Sequence, residues 1–183
     1  MTTERLESLP AIEAALWREL ATAEHDQEHP WRTAVLATTD GQLGDARTVV
    51  LRGTDSVAQK LTLFSDARAP KVAQLGTHPL GTLVMWSAAL GWQLRLRVHL
   101  QAVTDGLAVA SNWARLKLSP AAHDYLSAQA PGSVLANALG ARAERAHFAL
   151  ITADVLVVDW LELHANGHRR ARFEGGNAVW LQA

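Results

Sequence analysis

The sequence predicts a mainly β protein: a small antiparallel barrel with flanking helices. Three observations carry that expectation. Residues Trp92 to Leu100 alternate strictly, with Trp92, Leu94, Leu96, Val98 and Leu100 on one face and Gln93, Arg95, Arg97 and His99 on the other. Several shorter β-branched and apolar runs are separated by glycine-containing turn signals. The 183-residue length suits one domain with a sizeable core, and 49% hydrophobic against 19% charged residues favours folding over disorder.

Each element has a local cause. From Leu6 to Ala23, Leu9, Ile12, Leu16 and Leu20 fall near helical spacing, so an amphipathic helix is expected before Pro30. Thr33–Thr39 and Thr48–Leu51 read as a hairpin, with Asp40-Gly41 and Gly44-Asp45 as turn signals between them. Leu61–Ser65 is a third strand, and Pro70–Gly76 is a short helix ending at a glycine. Leu83–Trp86 and Trp92–Val103 continue the sheet around Gly91. Ser119-Pro120 reads as a capped helix start running to Ala128, and a second helical piece is expected over 134–145. Phe148–Leu163 is a long strand, and Arg169–Glu174 with Ala178–Leu181 flank Gly175-Gly176-Asn177 as a terminal hairpin. The whole is read as one domain over 1–183, with an N-terminal helical part over 1–28, a helical insertion over 119–145 and a C-terminal hairpin over 168–183.

Composition narrows the function. The absence of cysteine excludes disulfides, thiolate metal sites and cysteine nucleophiles. The eight histidines are scattered without metal-ligand spacing, so no metal site is expected, and the glycine-rich loops of Rossmann and P-loop proteins are missing. Without a basic start leading into an apolar run, and without a long apolar stretch, a cytoplasmic protein is expected. The net charge of −1 hides an asymmetry: acidic residues dominate from Glu4 to Glu28, and cations from Arg47 to Arg97. A local positive region in a near-neutral chain suits a small anion better than nucleic acid or membrane.

Within that basic region, Arg47, Arg68 and Lys71 are candidate phosphate ligands, with Ser65 as a neutral donor. Gln93 is an amide on the polar face of the alternating strand, able both to donate to and accept from a heteroaromatic edge. The Thr48-Val49-Val50 backbone could meet the same edge.

In order and spacing these residues resemble the pyridoxamine 5′-phosphate oxidase-like family of flavin mononucleotide (FMN)-binding split β-barrels. Arg47 to Arg52 is similar to its Arg-x-Val-Leu-x-Lys/Arg strand, and Phe64-Ser65 to its aromatic-plus-hydroxyl pair. Ala69-Pro70-Lys71 stands where Ser-Arg-Lys is usual, followed by Gln74-Leu75 and His78-Pro79 for Gln-Leu and Asn-Pro. Trp86 and Gln93 fall where the family has its tryptophan strand and Arg-Gln-Val, with Trp92 in place of the arginine. Near the end, His168 to Phe173 is similar to Arg-x-His-x-Arg-Phe.

The resemblance implies a Greek-key split barrel, a homodimer with FMN between the subunits, and hydride transfer through flavin N5. It implies cofactor contacts from Arg47, Thr48, Val49, Val50, Phe64, Ser65, Arg68, Lys71, Gln93 and Arg172, and substrate contacts from Arg52, Tyr125, Ser133 and Arg170. Gln129 occupies a position where the family has an arginine. A substrate other than pyridoxamine phosphate is therefore expected. The alternatives are a flavin- or heme-binding protein without turnover on the same fold, and a small-barrel nucleic-acid binder.

Overall fold

The computed structural model describes residues 5–135 and 147–183. Eight strands are present among them: β1 Thr33–Thr39, β2 Gly44–Asp55, β3 Lys60–Asp66, β4 Leu80–Ser87, β5 Trp92–Val103, β6 Phe148–Glu162, β7 Arg169–Glu174 and β8 Asn177–Leu181. The helices are α1 Leu9–His25, α2 Pro70–Thr77 and α3 Leu107–Leu116, with 3-10 turns at Pro30–Arg32 and Pro120–Tyr125.

All strand pairs are antiparallel, in the order β3-β2-β1-β4-β5-β6-β7-β8, and β3 also pairs with β6. That last pairing closes six strands into a barrel. Strand β4 returns through α2 to lie beside β1, which gives the Greek-key order. The 15-residue β6 makes closure possible. Its first half pairs with β3 (Phe148 to Asp154) and its second half with β7 (Val157 to Glu162), while β5 runs along its other edge.

The barrel is open along one seam. Strands β2 and β3 pair only between Leu51/Leu63 and Asp55/Lys60, although β2 extends back to Gly44 and β3 on to Asp66. From Gly44 to Val50, β2 therefore pairs with β1 on one edge and has no ladder partner on the other.

Inward positions of the strands form the core, including Leu36, Leu51, Leu63, Leu83, Leu94, Leu96 and Trp160. Helix α1 covers one end through Ile12, Leu16 and Leu20, all about 1% exposed or less. It starts at Leu9 rather than Leu6 because Ser8 caps it by accepting the Ala11 N–H, with Pro10 in the first turn where a missing N–H is harmless. A second, smaller cluster lies outside the barrel wall, where α3 places Val109 and Leu116 over Phe148 and Leu150 of β6.

Strands β1, β5 and β7 have the expected bounds, and the others extend by one to several residues. Two expectations need correction. Gly44-Asp45 is not a turn: the Asp40 carboxylate accepts the N–H groups of Gln42 and Leu43 and closes the turn over 40–43, freeing Gly44 and Asp45 to pair with Thr39 and Thr38. Ser119-Pro120 opens only a 3-10 turn. The Ser119 hydroxyl donates to the Leu116 carbonyl, closing α3, so it caps nothing downstream. Helix α3 itself was not expected, although Val109, Trp113 and Leu116 carry its spacing. The helical piece expected over 134–145 falls mostly on 136–146, outside the described residues. The terminal hairpin turns on Gly175 and Gly176, with φ of 56° and 78°, the two positive values a tight two-residue hairpin requires. No described helix is long and apolar enough to cross a membrane.

Candidate functional site

The seam between β2 and β3 ends in a polar mouth beneath α2. Arg47 lies on the inward-facing side of β2, in phase with Val49 and Leu51, but at a level where the core gives way to polar groups. Its guanidinium donates to the Thr38 hydroxyl at 2.6 Å, the Leu36 carbonyl at 3.3 Å and the Gln74 side-chain oxygen at 3.5 Å, and pairs with Asp45. Thr38 in turn donates to Gln74 at 2.6 Å. Lys71, in the first turn of α2, donates to the hydroxyl of Ser65 at 3.2 Å, and Ser65 is 3% exposed.

Charge at the mouth is unbalanced. Burial, and then the neighbouring Arg47 guanidinium, push the Lys71 ammonium below its ordinary 10.5, against the opposing pull of Asp66 and Asp45. Two cations are held close with their donors converging, and the pull of the nearby carboxylates does not restore Lys71 to its usual range. An anion placed between Arg47, Lys71 and Ser65 would relieve that repulsion.

Arg68, four residues from the seam's Phe64, is differently placed. It makes a two-pronged pair with Asp66 (3.0 and 2.7 Å) and donates to the carbonyls of Ser127, Ala128 and Gln129 at 2.9 to 3.2 Å. Burial would raise the Asp66 carboxyl, but the side-chain and backbone hydrogen bonds from Arg68 outweigh it and hold Asp66 below the ordinary carboxylate range. Arg68 thus ties the loop after β3 to the 127–129 segment with its donors already engaged.

The remaining expected residues form two further sets. Thr48, Val50 and Arg52 alternate with the inward residues of β2, while Val49 points into the core at 8% exposed. Phe64 lies on the outer face of β3, edge-on to Phe148 at 4.9 Å, with the Arg52 guanidinium 5.6 Å from its ring centre. Tyr125 is a core residue of the second cluster, edge-on to Phe148 at 5.4 Å; burial raises its hydroxyl and the adjacent Arg52 opposes the rise. Ser133 is exposed in the 131–135 segment, and no hydrogen bond among the described residues joins it to Tyr125 or Arg52.

Gln93 and Arg172 belong to the outer face of β5, β6 and β7. Gln93 pairs across to Trp86 and Leu161. Arg172 lines a cleft of about 340 Å³ with Arg95, Arg97, Asp159 and Glu174, and none of the mouth residues lines it. Arg170 is engaged with Asp159, which it grips at 3.0 and 2.7 Å while Arg95 adds a third bond at 2.5 Å. One protomer therefore brings Arg47, Ser65 and Lys71 together, and carries Gln93 and Arg172 on a separate surface.

Thr38, Gln74 and Asp45 complete the mouth and were not singled out from the sequence. Thr38 had a readable signal, being a polar residue at the inward phase of Ala34 and Leu36. Gln74 had none, because its role depends on how α2 lies across the barrel.

The sequence matches the family described as pyridoxamine 5′-phosphate oxidase, FMN-binding domain, over residues 14–104. No curated protein sequence matches the chain. Among solved structures, it is similar to a pyridoxamine 5′-phosphate oxidase-related FMN-binding protein from Nostoc punctiforme (TM-score 0.70, 21% identity, covering 98% of this chain and 99% of that one). It is also similar to PhzG from Burkholderia lata, solved with tetrahydrophenazine-1-carboxylic acid (TM-score 0.76, 17% identity, 100% of each chain). A heme-binding protein from Mycobacterium smegmatis has a lower TM-score of 0.56 at 16% identity, covering 93% of this chain and 60% of that one. At these identities the structural likeness establishes a shared fold.

Proposed function

Since the chain belongs to the pyridoxamine 5′-phosphate oxidase-like family of split β-barrels, we propose that it binds FMN by its phosphate at the barrel mouth and works as an oxidoreductase. The observation that carries this reading is the surplus of partly buried positive charge where β2 and β3 part. The FMN phosphate is a dianion, and Arg47, Lys71 and the Ser65 hydroxyl supply the charge and the donors it needs.

Above the mouth, the unpaired edge of β2 from Gly44 to Val50 presents backbone donors and acceptors along the seam, suited to the edge of the isoalloxazine ring. Bound there, FMN supplies hydride chemistry at its N5. The contribution of the chain is to bind the phosphate, orient the rings and shield one face of them from water. Arg68 serves as the anchor of the 127–129 segment, and its engaged donors favour that role over phosphate binding.

A homodimer follows from the same reading. Gln93 and Arg172 sit on the outer sheet face, apart from the mouth, so a second copy packed against that face would bring its own Gln93 and Arg172 to the cofactor. Exposed Val35, Trp86 and Val179 lie on this face, consistent with burial between subunits. A cytoplasmic location and a small-molecule electron donor complete the proposal.

The test is the visible absorption of the freshly purified protein, followed by titration with FMN. A flavin spectrum lost in the Arg47→Ala/Lys71→Ala double variant supports the site. A colourless wild type that takes up no added FMN overturns it.

A further inference from the structure

Beside the seam, at its closed end, the β2–β3 ladder contains a bulge. Leu51 pairs with Leu63 and Gly53 with Thr62, so Arg52 is the extra residue between them. Such a bulge re-aims a side chain, and here it lays the Arg52 guanidinium over the Phe64 ring, with its Nε buried and lacking any hydrogen-bond partner among the described residues. Arg52 and Phe64 form one wall of a cavity of about 460 Å³, within the usual range for small-molecule sites. Helix α3 provides the opposite wall through Arg115 and Asn112, whose side chains are joined by a 2.9 Å hydrogen bond.

The charges in this cavity select the ligand. Two arginines face one carboxylate, Glu24, whose Oε2 is held by the Thr54 N–H at 2.8 Å and the Thr54 hydroxyl at 3.0 Å. With Glu24 fixed, one positive charge is left unmatched. A monoanion would neutralise it, whereas the second charge of a phosphate ester would face Glu24. Phe64 and Leu150 supply an apolar surface for the rest of the ligand.

We propose that this cavity binds an aromatic monocarboxylate, its acid group held between Arg52 and Arg115 and its ring against Phe64 and Leu150. The inference deepens the cofactor reading and rests on it for orientation: Val50, two residues before Arg52, belongs to the open edge assigned to the flavin, so an acid gripped at Arg52 extends toward the cofactor as a substrate would. Substrate charge is then set by the bulged arginine and α3, outside the phosphate mouth.

The test is calorimetric titration of the full-length protein, with and without added FMN, using 1-naphthoate, 1-naphthyl phosphate and 1-naphthamide as probes. The expected result is that naphthoate binds about tenfold or more tightly than either of the others. Arg115→Ala, at an exposed helical position where folding is retained, should weaken naphthoate about fivefold, and Arg52→Ala more. Equal binding of the three probes, a preference for the phosphate ester, or naphthoate affinity unchanged in both variants overturns the proposal. So does a protein that takes up FMN and leaves naphthoate unbound. The two readings fail separately: naphthoate bound by a wild type that takes up no FMN removes the cofactor site and leaves the carboxylate site standing.

Discussion

Two clusters of arginine at opposite regions of the barrel show how the same residue type serves structure in one place and ligand binding in another. Around β6 and β7, carboxylates are outnumbered and held: Glu162, 5% exposed, accepts from Arg5 at 2.7 Å and from Arg169 at 2.8 and 3.0 Å, and Asp159 is gripped by Arg95 and Arg170. Arg169 also lies 5.6 Å from the Trp160 ring centre and 5.8 Å from that of Trp180, so its charge is fixed by ions and aromatic faces together. At the mouth, Arg47 and Lys71 converge on hydroxyl and amide groups, and the ammonium is strained toward its neutral form. A buried cation matched by a carboxylate stabilises the fold. A buried cation matched by another cation awaits an anion.

The largest expected effect breaks the structural side. Glu162→Ala leaves Arg5 and Arg169 without their shared partner and should destabilise the protein by about 3 kcal/mol or more, read from urea unfolding. The folded fraction should keep its FMN affinity. Loss of flavin binding in folded protein would mean that the two regions are not separable.

Next in size is the mouth itself. Arg47→Ala with Lys71→Ala should weaken FMN about 100-fold, equivalent to about 2.7 kcal/mol, while the thermal midpoint of the flavin-free protein holds or rises because a repulsion is removed. A large fall in stability would place these cations with the structural cluster instead.

A pH series sharpens the contrast. Burial raises Glu162 and Asp159, but the arginine hydrogen bonds outweigh it, so both sit below their ordinary 4.5 and 3.8 in the folded state. The unfolded chain then binds more protons as pH falls through that range. Stability from β6 and β7 is full above the ordinary carboxylate values and is lost as pH drops through the folded ones. Lys71 is also depressed, so the flavin-free protein gains stability as pH rises from the lowered value toward 10.5, where the unfolded lysine still holds its proton. FMN affinity should decline over that same alkaline window as the ammonium is lost. Denaturation and flavin titrations on the same samples read the two opposite trends.

The smallest effect concerns Arg68. With its donors committed to Asp66 and the 127–129 carbonyls, Arg68→Lys should change FMN affinity less than about threefold and increase proteolysis near 127–129. A loss matching that of the Arg47 and Lys71 variant would return Arg68 to the phosphate.

Much of this was legible in the chain, for reasons that differ by element. The alternation of Trp92 to Leu100 fixes which face of β5 enters the core, and the structure buries those five residues while leaving Arg97 and His99 exposed. Arg47, Ser65 and Lys71 could be grouped because the strand–turn–helix spacing carries them as a unit. The role of Arg68 was hidden, since its partners lie about sixty residues downstream on a segment without regular structure. Helix α3 was missed although its spacing was present, and the bulge at Arg52 depends on the β3 register, which no local pattern in β2 reveals. Gln93 was placed correctly on a polar strand face, but sequence alone could not show that this face is separate from the mouth.

The most direct measurement compares FMN with riboflavin, which carries the same ring system without the phosphate. Titrating the flavin-free protein with each and following quenching of flavin fluorescence isolates what the mouth contributes. The account predicts that FMN binds about 100-fold more tightly than riboflavin, with the advantage shrinking as salt rises. Equal affinities, or no uptake of either flavin, would contradict it.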